Sequence, residues 1–534
     1  MRYLNFKLTL LFIKTAVLLL FLAACAGCMD MPISSLPNAT EKIKLGVPNN
    51  NSPVFADFLG VNGFEWDFTE SGKSTIDTVM FKNILSFGGF RHYLDWDKIE
   101  SQKDTFNFNG AFNYDTIYQA SAQKNLMMLV TVQNIPKWLI KTYPGADQAN
   151  DNAPAPGDAN RSEPASYIDM ARMGFQVAAR YGNNKNINVS MLKVNAKPRW
   201  PGDPVSKAVA GLGYVHYFEC GNEVDKTWKG QKGHLTAEEY AANLSAFYDG
   251  DMGKLGKDVG VKTADTSMKV VMSGLADPDP NYVIKMIEWC KKHRGYKKDG
   301  SVNLCFDVIN YHFYENDLVP GTDKYTVGKP PEHSRAAQVA DAFVAMSAKY
   351  ANNMPVWITE SGYDLNQNSP QRAIPIGNKS PEMTQADWMM RSAFLYARHG
   401  LKRSFFYMLD DVDPKSATQY SSSGLVEGHH MRVIADYIAQ THNLMGDYTY
   451  YQTISSDPIV DIYLKGEKKM YVMYVPDEVG RKVPAQLDLP GATSATVYRL
   501  MPGTTTMKVE HMPVKNGKLT IELSETPLFV ERDN

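Results

Sequence analysis

The sequence predicts an α/β protein, a (β/α)8 barrel followed by a C-terminal antiparallel β-sandwich. From about Phe55 to Tyr448, short apolar runs alternate with longer segments of helical period, the pattern of parallel strands joined by crossover helices. Eight such units fit into that span, as a closed barrel requires. After Tyr448 the helical period stops, and short alternating strands follow one another, divided by Gly, Pro, Asn and Asp, as in two packed antiparallel sheets.

In chain order, residues 1–25 read as a lipoprotein signal peptide, 26–55 as a linker, 56–448 as the barrel and 449–534 as the sandwich. Arg2, Lys7 and Lys14 accompany the apolar stretch AVLLLFLAA, which falls short of the roughly 20 residues that span a bilayer. It ends in LAAC, Leu22 to Cys25. That ending resembles the bacterial lipobox, in which the cysteine is lipidated and becomes the mature N-terminus. Cys28 is the alternative acceptor, and cleavage after a small residue without lipidation is the other reading. The resemblance implies an exported lipoprotein, periplasmic or on the outer-membrane surface of a Gram-negative bacterium, that meets the membrane only through its N-terminal lipid. The linker is rich in Pro, Asn and Ser, as suits a tether.

Barrel strands are expected from Phe58, Gly88, Leu126, Val215, Met268, Phe306, Met354 and Arg403. Helical segments include those from Pro164, Thr236, Ser334 and Thr384; in the last three, apolar residues at three- and four-residue steps give each helix one stripe to lay on the barrel. Thr236 and Glu239 form the pattern of a capping box. The 534-residue chain has 44% hydrophobic and 21% charged residues and a formal net charge of -2. That suits a large globular core and lacks the basic excess of a nucleic-acid binder. Past the leader, Cys220, Cys290 and Cys305 leave at least one thiol unpaired within the chain, and Cys290 and Cys305 are the candidates for pairing.

In a (β/α)8 barrel, chemistry sits at the C-terminal ends of the strands. The quartet TESG occurs twice, and this rule separates the copies: Glu360 closes the apolar run MPVWIT, whereas Glu70 lies several residues past its strand. A second carboxylate, Glu223, closes the fourth strand in HYFECGNEV, directly after Asn222. Carboxylates on strands four and seven can divide the labour of glycoside hydrolysis, one protonated to release the leaving oxygen and one ionised to attack the anomeric carbon. The parity of Cys220 relative to Glu223 points its thiol away from the lumen.

Asn-Glu at the end of strand four with Glu at the end of strand seven resembles glycoside hydrolase clan A, the retaining (β/α)8 glycosidases. The resemblance implies that Glu223 is the acid/base, that Asn222 holds the sugar 2-hydroxyl and that Glu360 is the nucleophile. It also implies an arginine beside the nucleophile, here Arg91, and a histidine and tyrosine that bond it and line the sugar site, here His312 and Tyr314. FExxNE, HxY and the trailing β module are most similar to family 39. The chain departs from that family in reading Gly-Asn-Glu-Val after strand four and in lacking a tryptophan in FFYMLDD of strand eight. Trp96, Trp138, Trp200 and Trp228 are the candidate replacements, with Trp228 taken as substrate-binding. The segment from Ile140 to Ser162 is the expected cleft-shaping insertion. Asp410, Asp411 and Asp413 lack calcium-ligand spacing and read as a solvated loop. The expectation is a retaining β-glycoside hydrolase of a polysaccharide or oligosaccharide, with no cofactor and no metal. A non-catalytic surface glycan-binding protein and a transglycosylase are the alternatives.

Overall fold

The computed structural model of the chain describes residues 36–70, 75–109, 112–197, 205–319, 322 and 324–533. The leader with Cys25 and Cys28, and Trp200, lie outside the described residues.

Eight parallel strands form the barrel: β1 (Leu59–Asn62), β2 (Gly89–Asp95), β3 (Met127–Gln133), β4 (Tyr217–Cys220), β5 (Lys269–Met272), β6 (Ile309–His312), β7 (Val356–Glu360) and β8 (Arg403–Phe406). Each begins within three residues of its expected start. Their order runs β5-β4-β3-β2-β1-β8-β7-β6, and the bridges Val271–Val308 and Leu275–Tyr311 join β5 to β6, closing the ring. After the strands in turn come helices α1 (Thr78–Ile84), α2 (Tyr114–Gln123), α3 (Ile168–Tyr181), α4 (Ala237–Asp249), α5 (Pro280–His293), α6 (Ala336–Tyr350), α7 (Pro381–Arg398) and α8 (Val433–Met445). The capping box of α4 is present: the Thr236 hydroxyl accepts from the Glu239 amide at 3.3 Å, and the Glu239 carboxylate accepts from the Thr236 amide at 2.9 Å.

Helix α7 departs from the one-stripe expectation. It is buried on every face from Thr384 to Ala397, because the C-terminal domain covers the side that would otherwise meet water. Phe394 packs against Tyr463, Tyr474 and Phe529 of that domain. Arg391 pairs with Glu332 at 2.6 Å and donates to the Asp477 carbonyl at 2.9 Å, while Arg398 reaches Asp461 at 2.5 Å.

The C-terminal domain consists of a six-stranded antiparallel sheet, β11-β12-β13-β18-β15-β16, facing the pair β14-β17. These strands are β11 (Thr449–Ser456), β12 (Ile459–Lys465), β13 (Lys468–Tyr474), β14 (Val483–Asp488), β15 (Ser494–Arg499), β16 (Lys508–Pro513), β17 (Lys518–Leu523) and β18 (Leu528–Arg532); the hairpin β9 (Val426–Glu427) and β10 (His430–Met431) precedes α8. Strands β14 and β17 alternate buried and exposed residues, the period-two pattern of a sheet wet on one side. Their inward residues Ala485, Leu487, Leu519, Ile521 and Leu523 join one core with Val460, Met473 and Val530 from the larger sheet.

The last part of the expected linker is packed rather than free. Asn38 donates to the Asn316 carbonyl at 2.8 Å, beside the loop after β6. Glu41 is buried against Arg398 and His399, both at 2.8 Å, and Leu45 and Val54 bridge to β11. No helix among the described residues is long and apolar enough to cross a membrane.

Inside the barrel the character of the lumen changes along the strands. Leu129, Val271, Val308, Trp357 and Phe405 form an apolar plug; beyond it Arg91, Thr131, Glu219, Asn310 and Thr359 are buried and polar. An open hollow of about 1050 Å³ at the opposite end is lined by strand starts such as Tyr217 and Lys269, on the face that barrels use for stability rather than chemistry.

Candidate active site

The polar layer is organised by a carboxylate that the strand-end rule passes over. Glu219, in the middle of β4 and fully buried, accepts from Arg91 Nε at 2.7 Å and Nη2 at 3.3 Å, from the Thr131 hydroxyl at 2.6 Å, from the Gly274 amide at 2.9 Å and from Asn310 Nδ2 at 3.0 Å. An ionised carboxylate only accepts, so it fixes the direction of every bond leading away from it. With Nδ2 of Asn310 turned to Glu219, its Oδ1 accepts the Thr359 hydroxyl proton at 3.0 Å. The Thr359 oxygen then accepts from His312 Nε2 at 3.1 Å. Nε2 therefore carries hydrogen, and Nδ1 is the nitrogen presented to Glu223 Oε1, at 3.1 Å. The ring fits there because residue 274 is glycine: a Cβ at that position would lie 2.0 Å from His312 Nε2.

Arg91 is the second hub. Besides Glu219 it donates from Nη1 to Glu360 Oε1 at 2.8 Å and to Asn62 Oδ1 at 2.9 Å, and from Nη2 to Asn222 Oδ1 at 2.7 Å. Because Asn222 Oδ1 accepts from Arg91, its Nδ2 is the atom left to meet a ligand oxygen. Tyr93, two residues along β2, donates to Glu360 Oε1 at 2.9 Å, and Tyr314 donates to Oε2 at 3.0 Å. Burial pushes the Glu360 carboxyl up, but the charges of His312 and Arg91 and the two tyrosine hydroxyls outweigh it and hold the group below the ordinary carboxylate range. Burial lowers His312, yet the Glu360 charge and the bond to Glu223 outweigh that and raise it.

Glu223 lies just beyond β4, where the chain turns through Gly221 at φ 87° and Glu223 itself at φ 48°. A long side chain in the left-handed region is strained; here the Glu223 amide is held by the Gly274 carbonyl at 3.1 Å. One oxygen each of Glu223 and Glu360 and one nitrogen of His312 lie within 4.8 Å of one another. Glu70 sits on the loop after β1, where its amide donates to Thr75 O.

Aromatic rings surround Glu360. Tyr314 packs on Tyr420 at 4.1 Å between centroids, Tyr407 meets Tyr420 at 6.4 Å and Phe64 at 6.3 Å, and Phe64 meets Tyr93 at 5.7 Å. Tyr407 follows β8, where the sequence lacks tryptophan. Phe64 is stacked by Trp66 at 4.5 Å, and Trp66 is 58% exposed. Of the tryptophans expected as platforms, Trp96 is fully buried, bonded to Glu100 at 2.6 Å, and Trp138 packs edge-on against it and donates to the Glu100 carbonyl at 2.9 Å. Trp228 is 62% exposed. It borders a cavity of about 220 Å³ beside Glu223, together with Asn222, Lys226 and residues 150–154 of the expected insertion. Tyr143 pins that insertion by donating to the carbonyls of Ala153 and Ala155.

The aspartates after β8 are not all solvated: Asp411 is buried against Arg432 at 2.6 Å, which compensates its charge. Cys220 faces away from the site, its carbonyl held by Tyr240 OH at 2.8 Å, and burial pushes its thiol up. The sulfurs of Cys290 and Cys305 are buried 3.6 Å apart.

No protein-family model and no curated protein matches the chain. Solved structures do. A family 39 glycoside hydrolase from the gut symbiont Bacteroides cellulosilyticus WH2 matches with TM-score 0.59 at 15% identity, over 90% of this chain and 82% of that one. The fold is one that glycoside hydrolases share. A family 30 endoxylanase from Clostridium papyrosolvens C71 matches with TM-score 0.52 at 13% identity, over 93% of this chain and 100% of that one. A family 44 xyloglucanase from Paenibacillus polymyxa matches with TM-score 0.51 at 12% identity, over 90% and 97%. The similarity spans the sandwich as well as the barrel, in keeping with the expected likeness to clan A; families 39, 30 and 44 are all represented.

Proposed function

We propose that the chain is a retaining β-glycoside hydrolase that cleaves a polysaccharide or oligosaccharide by double displacement. The observation that carries this reading is the pairing of unlike carboxylates: Glu360, kept ionised by Arg91, Tyr93 and Tyr314, stands within 4.8 Å of Glu223, whose oxygen faces a histidine nitrogen. In the first step Glu223 gives its proton to the bridging oxygen while Glu360 attacks the anomeric carbon, breaking the glycosidic bond and forming a glycosyl ester. In the second, Glu223 takes a proton from water, whose oxygen displaces Glu360. The short separation leaves no room for a water between carboxylate and sugar, which an inverting enzyme needs at about 6.5–9.5 Å. Asn222 Nδ2 is placed to bond a hydroxyl of the reacting sugar, and Tyr407 and Phe64 offer apolar rings to its faces. The names of the structural neighbours, a family 39 hydrolase, an endoxylanase and a xyloglucanase, support the same class. The reading extends to location: Cys25 is the lipid acceptor of an exported protein.

The deciding experiment follows the anomeric proton by NMR during cleavage of a β-linked substrate. Two displacements release the β anomer first, before mutarotation. Initial release of the α anomer would overturn the mechanism.

A further inference from the structure

The cavity beside Glu223 contains a cation with no direct partner among the described residues. Lys226, three residues beyond Glu223, lines it and is half-buried. Among the described residues its ammonium has neither a hydrogen-bond nor an ion-pair partner. The three carboxylates whose charges reach it are engaged elsewhere. Asp151 pairs with Lys229 at 2.6 Å, Asp225 accepts the amides of Ala276 at 3.0 Å and Asp277 at 2.8 Å, and Glu223 faces His312. A charge withdrawn from water without a partner is unfavourable, and burial accordingly draws the Lys226 pKa down. One cation without a direct partner, around about 220 Å³ of space beside Glu223, forms the complement of a sugar residue that carries an acidic group.

We infer that this cavity is a subsite for an acidic sugar residue, its carboxylate or sulfate paired with Lys226. The inference rests on the reading of Glu223 as the acid, and it narrows the substrate to an anionic glycan. The cavity is bordered by the ends of β3 and β4 and by no residue of β7, so the acidic residue sits on the Glu223 side of the scissile bond, where the leaving oxygen is protonated. Trp228 stands at its border, exposed, with a face for the ring.

The test is a calorimetric titration of the purified protein carrying Glu360→Gln, so that nothing turns over. The probes are a tetrasaccharide of alternating uronic acid and neutral residues, the same tetrasaccharide after carboxyl reduction, and a sulfated neutral tetrasaccharide. An anionic probe is expected to bind about ten-fold or more tightly than the reduced one, the size of one charge-assisted hydrogen bond. That ratio should fall to about two-fold or less when Lys226→Met is added, and survive Lys226→Arg. The tighter of the two anions identifies the acidic group. Equal affinity for acidic and reduced probes, or a ratio that persists in Lys226→Met, would overturn the inference. Cleavage by the unsubstituted protein is followed in parallel. Cleavage without any charge preference refutes the subsite alone, whereas charge-selective binding with no cleavage of any glycan refutes the hydrolase reading alone.

Discussion

Replacing Tyr314 by Phe removes a single hydroxyl from the surroundings of the Glu360 carboxylate. The ring itself has reason to stay, since it packs on Tyr420 with centroids 4.1 Å apart. What is lost is the 3.0 Å bond to Glu360 Oε2, a donor that favours the ionised carboxylate. A hydrogen bond to a charged group is worth roughly 1.5–3 kcal/mol. At about 1.4 kcal/mol per pKa unit, its removal should raise the Glu360 pKa by about one to two units. The sign follows from the balance at Glu360: burial already favours the protonated form, and the hydroxyl is one of four influences opposing it. The nucleophile must be ionised to attack, so the acid limb of the kcat/KM profile should move toward alkaline pH by that amount. A full pH profile on a chromogenic β-glycoside reads this directly. Tyr311→Phe is the control, since Tyr311 is a fully buried tyrosine of the preceding strand that packs outward on Phe343 at 4.5 Å. A Tyr314→Phe limb within about 0.3 units of the original, or a matching shift in Tyr311→Phe, would refute the assignment of Glu360 as the ionised attacking group.

Other outcomes are equally specific. Glu360→Gln should abolish turnover while Glu70→Gln leaves it near the original rate; equal losses would show that position at a strand end is not what matters. Glu223→Ala should retain cleavage of aryl glycosides with good leaving groups, which need little protonation, and lose natural substrates; parallel losses would deny Glu223 the role of acid. Gly274→Ala puts a Cβ into the His312 ring and should lower kcat by about ten-fold or more through displacement of that ring, with unchanged kinetics counting against a role for the histidine. Cys25→Ala should release the protein from membranes, and retention of that variant would move the acceptor to Cys28 or dismiss lipidation.

Periodicity made the barrel legible because each strand is a short apolar run with a helix behind it, and that alternation is written in the composition of consecutive segments. Glu223 and Glu360 were legible because strand ends in a barrel converge, and Asn222, Arg91, His312 and Tyr314 through the resemblance to clan A; the structure brings all six into one bonded cluster. Trp228 lies apart from that cluster, at the border of the neighbouring cavity. The residues that orient the cluster were harder to see. Glu219 is a charge in mid-strand, but it shares parity with Gly221 and Glu223, and a carboxylate on the lumen side of an apolar strand demands donors around it. Tyr93 shares parity with Arg91 in the same way. Thr131, Asn310 and Thr359 carry no such mark, since small polar residues in strands are common and only the register of four separate strands brings them to Glu219 and His312. The ring formed by Phe64, Tyr407 and Tyr420 comes from loops after β1 and β8, whose paths no periodicity dictates. The burial of α7 was invisible for a related reason: the sandwich that covers it lies about a hundred residues further along the chain.

If Cys25 carries the proposed lipid, the contact between Asn38 and Asn316 limits where the barrel mouth can stand. Asn316 stands two residues beyond Tyr314, on the rim of the barrel mouth. With Cys25 fixed in a leaflet, thirteen residues separate the lipid from that rim, and even a fully extended chain of that length spans at most roughly 45 Å. The mouth is then on a short leash, held within about one domain diameter of the bilayer instead of projecting outward from the far side of the molecule. A glycan would have to come down to the membrane to be cut, and its fragments would be released within reach of whatever transporters lie in the same surface.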